Sequence, residues 1–258
     1  MHNKLTRRTS LRALGLATLA ASLPLTSTPG QELPGSEPMT EWLRKLSANA
    51  SALRDRQISS LQWQEAMDQI YAGTPLDALR NRLDFNALRK QIINQIPDDR
   101  GELFHRVMLP GNGQPGEVGA EAPRMLITKV AYIRKGRSIP PHGHSNMASA
   151  FLCISGQFAV KQYDKLEDRD EHLILRQSVD ESGAGVGSWS SISDYRNNVH
   201  WLTAKTDDSF LFTSKLIAVE SGRELNGRIN VDVKRADYLG SGTLRARKIS
   251  AREAAELY

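Results

Sequence analysis

Residues 136–156 read GRSIPPHGHSNMASAFLCISG, and two histidines stand near the middle of this run, two positions apart. Alternate residues of a β-strand point to the same side, so a strand here would direct His142 and His144 together. Five residues separate Gly136 from His142, and Gly156 lies between two strand-like runs, where a tight turn needs a glycine. The stretch therefore predicts a β-hairpin that presents a pair of imidazoles.

Short apolar segments separated by Gly, Pro and Asp turns surround this hairpin. The predicted strands are Leu103–Leu109, Met125–Ile133, Ala150–Ile154, Gln157–Tyr163, Leu173–Gln177, Val199–Ala204, Phe210–Ala218 and Ile229–Val233. Many short strands with turn residues between them are typical of a β-sandwich or barrel. We predict a mainly-β barrel over residues 101–245, with a loop at 111–123 and a tail at 246–258 that ends in a short helix.

The segment before the barrel has a helical pattern. Apolar residues recur at spacings of three and four between residues 39 and 100, which predicts amphipathic helices. Thr74 followed by Pro75 indicates one helix start, and Asp84 indicates another. Residues 31–38 are rich in proline and glycine and are predicted to be a linker. The apolar stripes indicate core packing, with a dimer contact or a wall over the barrel mouth as alternatives.

The hairpin resembles the first motif of the cupin superfamily, in which a glycine, five residues, His-x-His, a glutamate and a later glycine follow in order. The glutamate position falls on Ser149. Residues 195–204 read YRNNVHWLTA and resemble the second cupin motif, which supplies another histidine, here His200. Tyr195 and Asn197 replace the usual proline and glycine. The resemblance implies a single cupin (double-stranded β-helix or jelly-roll) barrel.

The resemblance also implies a metal site with His142, His144 and His200 as ligands. Three neutral imidazoles without a carboxylate leave coordination positions open. Among cupins this set is similar to that of the thiol dioxygenases, which use iron(II) and dioxygen to oxidise a thiol to a sulfinate. Iron(II) is therefore the expected metal, with manganese, nickel or zinc as alternatives, and a small thiol or related small acid is the expected substrate.

Other residues enter as candidates around this site. Ser149 and Tyr195 are the candidate catalytic residues, and a substrate acid group would need an arginine, for which Arg106, Arg124 and Arg134 are available. Cys153 is out of register with the crosslinked cysteine of animal thiol dioxygenases, so no crosslink is expected. Other metallocupin chemistries, including isomerases and decarboxylases that use manganese, zinc or nickel, are alternatives to the dioxygenase. The alternatives to an enzyme are a non-catalytic periplasmic cupin that binds a metal or small ligand, and a structural protein. Cupins often pair, which makes a homodimer an option.

The first 30 residues resemble a twin-arginine export signal. Residues 6–12 read TRRTSLR, and a moderately apolar run follows at 13–25. The resemblance implies export of the folded protein to the periplasm by the twin-arginine machinery. An ordinary secretory signal or a basic amphipathic helix are the alternatives. Beyond residue 40 no apolar run is long enough to cross a bilayer, so the mature protein is not expected to span a membrane.

Charge and cysteine content exclude other classes. The net charge is +5, but the first 30 residues hold four of the 34 basic residues and no acid, so the remaining 30 nearly balance the 29 acidic residues. A nearly neutral body argues against nucleic-acid binding, which needs a concentrated basic face. The single cysteine cannot form an internal disulfide.

Overall fold

The computed structural model describes residues 36–97, 100–109 and 126–258, and these contain five helices and eleven strands. The helices are α1 Ser36–Arg54, α2 Ser60–Ala72, α3 Leu76–Arg82, α4 Phe85–Gln95 and α5 Ala251–Leu257. The strands are β1 Glu102–Arg106, β2 Ile127–Ile133, β3 Ser138–Gly143, β4 Met147–Ser155, β5 Phe158–Asp168, β6 His172–Ala184, β7 Trp189–Ile192, β8 Val199–Ala204, β9 Ser209–Ile217, β10 Ile229–Gly240 and β11 Thr243–Lys248. The predicted signal peptide, the predicted loop at 111–123 and Arg124 lie outside the described residues.

The helix starts differ from the sequence predictions in detail. The described part of helix α1 includes Ser36 and Pro38 of the predicted linker, and a proline is tolerated in the first turn of a helix. Thr74 does not cap α3; its hydroxyl instead donates to the Tyr71 carbonyl at 2.9 Å. Asp84 precedes α4 as predicted, but its side chain makes no capping hydrogen bond. Helix α2 has the only full capping box among the helices whose caps are described, formed by Ser59 and Gln62.

The strands form two antiparallel sheets, and the prediction of a mainly-β barrel preceded by helices is confirmed. One sheet has the order β1-β2-β9-β4-β7. The other has the order β10-β11-β6-β5-β8-β3 and closes on itself because β10 also pairs with β3. Strands β7 and β11 were not predicted: β7 holds two serines, and three of the six residues of β11 are basic. The predicted barrel ended at residue 245, whereas strand β11 continues to Lys248.

The core has separate layers on the two faces of the five-stranded sheet. Helices α1 to α4 pack on its outer face, where Trp63, Leu152 and Phe212 are fully buried. On its inner face, Leu211 packs against residues of β5 and β8 such as Phe158. We call the space between the two sheets the barrel interior. In the described part of the chain, no helix has the length and hydropathy needed to cross a membrane.

Candidate metal centre

A β-bulge turns His142 toward the barrel interior. Ile139 pairs with Leu202 and His142 pairs with His200, so β3 takes three steps where β8 takes two. The extra residue lies at Pro140 and Pro141, which have no N–H to donate to the ladder. Because of this bulge, His142 shares a face with Ile139, which packs in the interior. His142 and His200 therefore meet directly across the two strands.

His144 joins them from just beyond the end of β3. The ring centroids lie 4.2 Å apart for His142 and His200, 4.8 Å for His142 and His144, and 5.5 Å for His144 and His200. One ring nitrogen from each histidine lies within 4.8 Å of the others. All three side chains are buried, and within the described part of the chain no aspartate, glutamate or cysteine joins the group. The structure thus brings together the three residues predicted as ligands.

Backbone carbonyls fix the orientation of two rings. Nδ1 of His142 lies 2.7 Å from the Pro140 oxygen, and Nδ1 of His200 lies 3.1 Å from the Asn198 oxygen. A carbonyl oxygen only accepts hydrogen bonds, so each Nδ1 must carry the proton, and each Nε2 keeps a free lone pair. Nδ1 of His144 is buried as well, and no described residue gives it a well-formed hydrogen bond.

The electrostatic environment keeps all three rings neutral. Burial lowers the pKa of His142 well below its usual value, and the neighbouring His200 and Arg228 add to this effect. Burial also lowers the pKa of His144 to about 2 and that of His200 to about 3, with Lys215 contributing in both cases. Neutral imidazole is the form that binds a metal. The donor set therefore fits a divalent transition metal held by three nitrogens.

Asn198 connects the two histidine-bearing segments. Its side-chain oxygen accepts from the His144 backbone N–H at 3.4 Å, and its amide nitrogen donates to the His144 and Ser193 carbonyls at 3.0 Å each. Gly143 permits this contact, since a Cβ there would lie 2.5 Å from the Asn198 oxygen. The glycine between the two histidines thus lets Asn198 bind the backbone of a candidate ligand, a role that the sequence prediction did not assign.

A second polar group supports the same hairpin. The Asp194 carboxylate accepts from the Asn146 backbone N–H at 2.7 Å and lies 3.5 Å from the Arg223 guanidinium. The Asn146 amide donates to the carbonyls of Glu220 and Arg223 at 2.9 and 2.7 Å. Burial raises the pKa of Asp194, and the charge of Arg223 opposes that shift. These contacts hold residues 220–223 against the turn that follows His144.

The two predicted catalytic residues lie in different surroundings. Ser149 shares a face of β4 with Phe151 and Cys153, which pack in the barrel interior, and its hydroxyl donates to the Ser214 carbonyl at 3.1 Å. Tyr195 is 56% exposed, and its hydroxyl donates to Glu220 at 2.8 Å. No described contact joins Tyr195 to the three histidines, and its catalytic role stays a prediction.

No described contact joins the remaining candidates to the histidines. Arg134 donates to the carbonyls of Ile96 and Pro97 at 3.3 and 3.2 Å, and Arg106 is exposed at the end of β1. Cys153 is buried, its thiol donates to the Ser155 carbonyl, and burial raises its pKa to about 12. The cationic groups that act on the histidines are instead Lys215 and Arg228, which no sequence pattern singled out.

Comparisons with known proteins return structural similarity only. No protein-family model and no curated protein matches the sequence. The fold is similar to recombinant oxalate oxidase in complex with glycolate, with 14% identity over 50% of this chain and 56% of that chain and a TM-score of 0.31. It is also similar to an uncharacterized conserved protein with a double-stranded β-helix domain from Klebsiella pneumoniae, with 14% identity over 53% of this chain and 87% of that one and a TM-score of 0.33.

A third similar structure is KdgF from Halomonas sp., with 14% identity over 45% of this chain and 79% of that chain and a TM-score of 0.29. The chain spans just over half the length of the oxalate oxidase that it matches. Similarity at this level gives no guide to activity. The chemistry of the site follows from its own residues.

Proposed function

We propose that this protein is a metal-dependent cupin, an iron(II) dioxygenase that oxidises a small thiol or a related small acid. The observation that supports the proposal is the cluster of His142, His144 and His200, buried and neutral, with no carboxylate among its described members. Three protein ligands leave positions open for other groups. A neutral ligand set also leaves the full charge of a divalent metal uncompensated, which favours an anionic partner such as a thiolate.

The proposed reaction balances without a further reductant. The thiol loses its proton to solvent on binding, both atoms of one dioxygen molecule become bonded to sulfur, and the product is a sulfinate. Sulfur gives up four electrons and dioxygen takes four. Bound iron(II) would supply the coordination positions that bring the two reactants together.

The chain's own residues supply position and shielding. Carbonyls of Pro140 and Asn198 orient two of the three rings, and one ring nitrogen of each histidine lies within 4.8 Å of the others. The apolar residues that close the barrel interior on one side of the histidines, among them Leu202 and Leu211, keep water from that side. The Ser149 hydroxyl donates its hydrogen bond to the Ser214 carbonyl. Toward a substrate it can therefore only accept a hydrogen bond.

Dioxygen consumption tests this proposal. The protein would be loaded with iron(II) without oxygen and then supplied with dioxygen and a panel of thiols that includes cysteine and 3-mercaptopropionate. We expect uptake that the His200→Ala variant lacks and that a His172→Ala variant keeps, since His172 starts β6 outside the cluster. Dioxygen uptake no greater than that of His200→Ala would contradict the proposed dioxygenase function and favour a non-catalytic binding module.

We further propose that the protein acts in the periplasm after export by the twin-arginine route. The support is the TRRTSLR sequence at residues 6–12 with the apolar run that follows it. The double change Arg7→Lys and Arg8→Lys should leave the precursor in the cytoplasm, as measured by cell fractionation. Unchanged export of this variant would contradict the proposal.

A further inference from the structure

Lys215 lies on the strand face that lines the barrel interior beside the histidines. It occupies β9 opposite Ser149 of β4 and Ile127 of β2. Leu211 and Lys215 are four residues apart on β9 and therefore point to the same side, and Leu211 packs in the interior. The charge of Lys215 acts on both His144 and His200. The ammonium group is thus close enough to the candidate metal centre to affect its ligands.

The Lys215 ammonium has no anionic partner among the described residues. No described residue forms a salt bridge or a hydrogen bond with it, although the side chain is largely buried. Burial is the main cause that lowers its pKa to about 8, and the charges that add to this shift, on Arg228 and Lys129, are also positive. A buried charge without a counter-charge is unfavourable. A bound anion would relieve that cost.

The two neighbouring cations already have partners. Arg228 forms a salt bridge with Glu102 at 2.9 Å, and its guanidinium lies 5.7 Å from the centre of the Phe104 ring. The Lys129 ammonium lies 5.9 Å from the same ring. Of these three cations, Lys215 is therefore the one that has neither a counter-charge nor an aromatic ring beside it among the described residues.

We propose that Lys215 binds the carboxylate of a small anionic substrate seated beside the three-histidine metal centre, and that metal and carboxylate bind cooperatively. This inference rests on the metal centre of the proposed function and names the substrate class of that site. Without the anion, Lys215 repels a divalent cation held by neutral ligands. With the carboxylate between them, each positive charge gains an attraction, and linkage requires both affinities to rise by the same factor.

Binding of Co(II) to the metal-free protein, followed by absorbance without oxygen, tests one half of this proposal. The variants are Lys215→Met, which removes the charge at similar size, and Lys215→Arg, which keeps it. Lys135→Met is the control, because Lys135 follows the far end of β2 and pairs there with Asp207. We expect Lys215→Met to bind Co(II) alone several-fold more tightly, while Lys215→Arg and Lys135→Met resemble the unchanged protein.

Calorimetric titration of the Co(II)-loaded protein tests the other half. The matched probes are 3-mercaptopropionate and its uncharged counterpart 3-mercaptopropan-1-ol. We expect Lys215→Met to weaken binding of the acid by about tenfold or more, as for loss of one charge-assisted hydrogen bond, and to leave the alcohol unchanged. Lys215→Arg should retain most of the acid's affinity. A purely structural role for Lys215 would shift both probes in the same direction.

Each outcome separates this inference from the proposed function. If Lys215→Met and the unchanged protein bind the acid with equal affinity, the inference is overturned, but the proposed metal centre is unaffected. If the protein selects the acid through Lys215 but consumes no dioxygen, the inference is supported and the proposed dioxygenase activity is contradicted. Failure of every form to bind Co(II) would overturn both.

Discussion

The segments that carry the histidines, residues 136–156 and 195–204, differ in how closely they follow the cupin pattern. The first has its glycines in register, and both Gly136 and Gly156 adopt the left-handed conformation, with φ of 75° and 74°. The second has Asn197 where glycine is usual, yet Asn197 also has a positive φ of 57°. Asparagine tolerates this conformation better than other non-glycine residues. A left-handed backbone conformation thus occurs in both segments, on glycine in the first and on asparagine in the second.

The two segments are also joined into one unit. Asn198 of the second segment binds both backbone groups of His144 in the first. His142 and His200 face each other across β3 and β8. A change in either segment should therefore damage the same site.

The largest expected effect is loss of metal binding on removal of one ligand from either segment. His142→Ala and His200→Ala should each weaken Co(II) binding by about 100-fold or more, because two imidazoles hold a metal far less tightly than three. Calorimetric titration measures this, with His172→Ala as the control. If only one of the two variants lost affinity for Co(II), one of these histidines would not be a ligand, and the proposal of a three-histidine site would be wrong.

The next effect is on the pH dependence of the metal-free protein's stability. The pKa values of His144 and His200 are about 2 and about 3 in the folded protein, against about 6.5 for an unfolded histidine. Below about pH 6.5 the unfolded chain takes up protons that the folded chain does not, so the free energy of unfolding falls as the pH drops. Each histidine contributes a slope of at most about 1.4 kcal/mol per pH unit.

Urea denaturation at several pH values between about 7 and about 4.5 measures this slope. His144→Gln and His200→Gln should each reduce it by about one proton, since glutamine does not titrate, and His172→Gln should leave it unchanged. An unchanged slope in either of the first two variants would show that the corresponding ring is protonated in the folded protein.

A smaller effect is expected where the segments touch. Gly143→Ala would place a Cβ 2.5 Å from the Asn198 oxygen and 3.2 Å from a Val199 methyl group. Because four hydrogen bonds hold the Asn198 side chain to its neighbours, we expect a loss of about 1–3 kcal/mol in the free energy of unfolding, together with weaker Co(II) binding. Gly185→Ala is the matched control, since no atom lies within 4 Å of a Cβ there. Equal stability of the two variants would contradict the close approach.

The smallest effect concerns the position where the segments differ in residue type. Asn197→Gly and Asn197→Ala both remove the side-chain hydrogen bond to the Ser191 carbonyl, so they differ only in their tolerance of a positive φ. We expect the alanine variant to be less stable by about 1 kcal/mol. Thermal or urea unfolding measures the difference. An alanine variant more stable than the glycine variant would show that the positive φ at position 197 carries no cost.

Sequence reasoning predicted the class of fold and the three histidines, but one physical reason differs. The alternation of a regular strand was expected to direct His142 and His144 together. In the structure a bulge at Pro140 and Pro141 turns His142 inward, and His144 lies beyond the strand. The prolines were visible in the sequence, but their effect depends on the register with β8, which a sequence does not state.

Other parts of the site depend on contacts between distant strands. Asn198 and Lys215 are ordinary polar residues of their segments, and only the pairing of β3 with β8 and of β9 with β4 places them beside the histidines. Strands β6 and β10 also run further than predicted, through residues 178–184 and 234–240, which are mixed in character and exposed or only partly buried. Hydrophobic alternation fails there because neither face of the strand is fully covered.

X-ray absorption of the zinc-loaded protein shows whether three histidines hold one metal ion. We expect one zinc per chain, with three imidazole nitrogens at about 2.0–2.1 Å and any further ligand supplied by solvent or buffer. His142→Ala and His200→Ala should each lose this signature. A first shell that contains sulfur, or fewer than three imidazoles, would contradict the three-histidine centre.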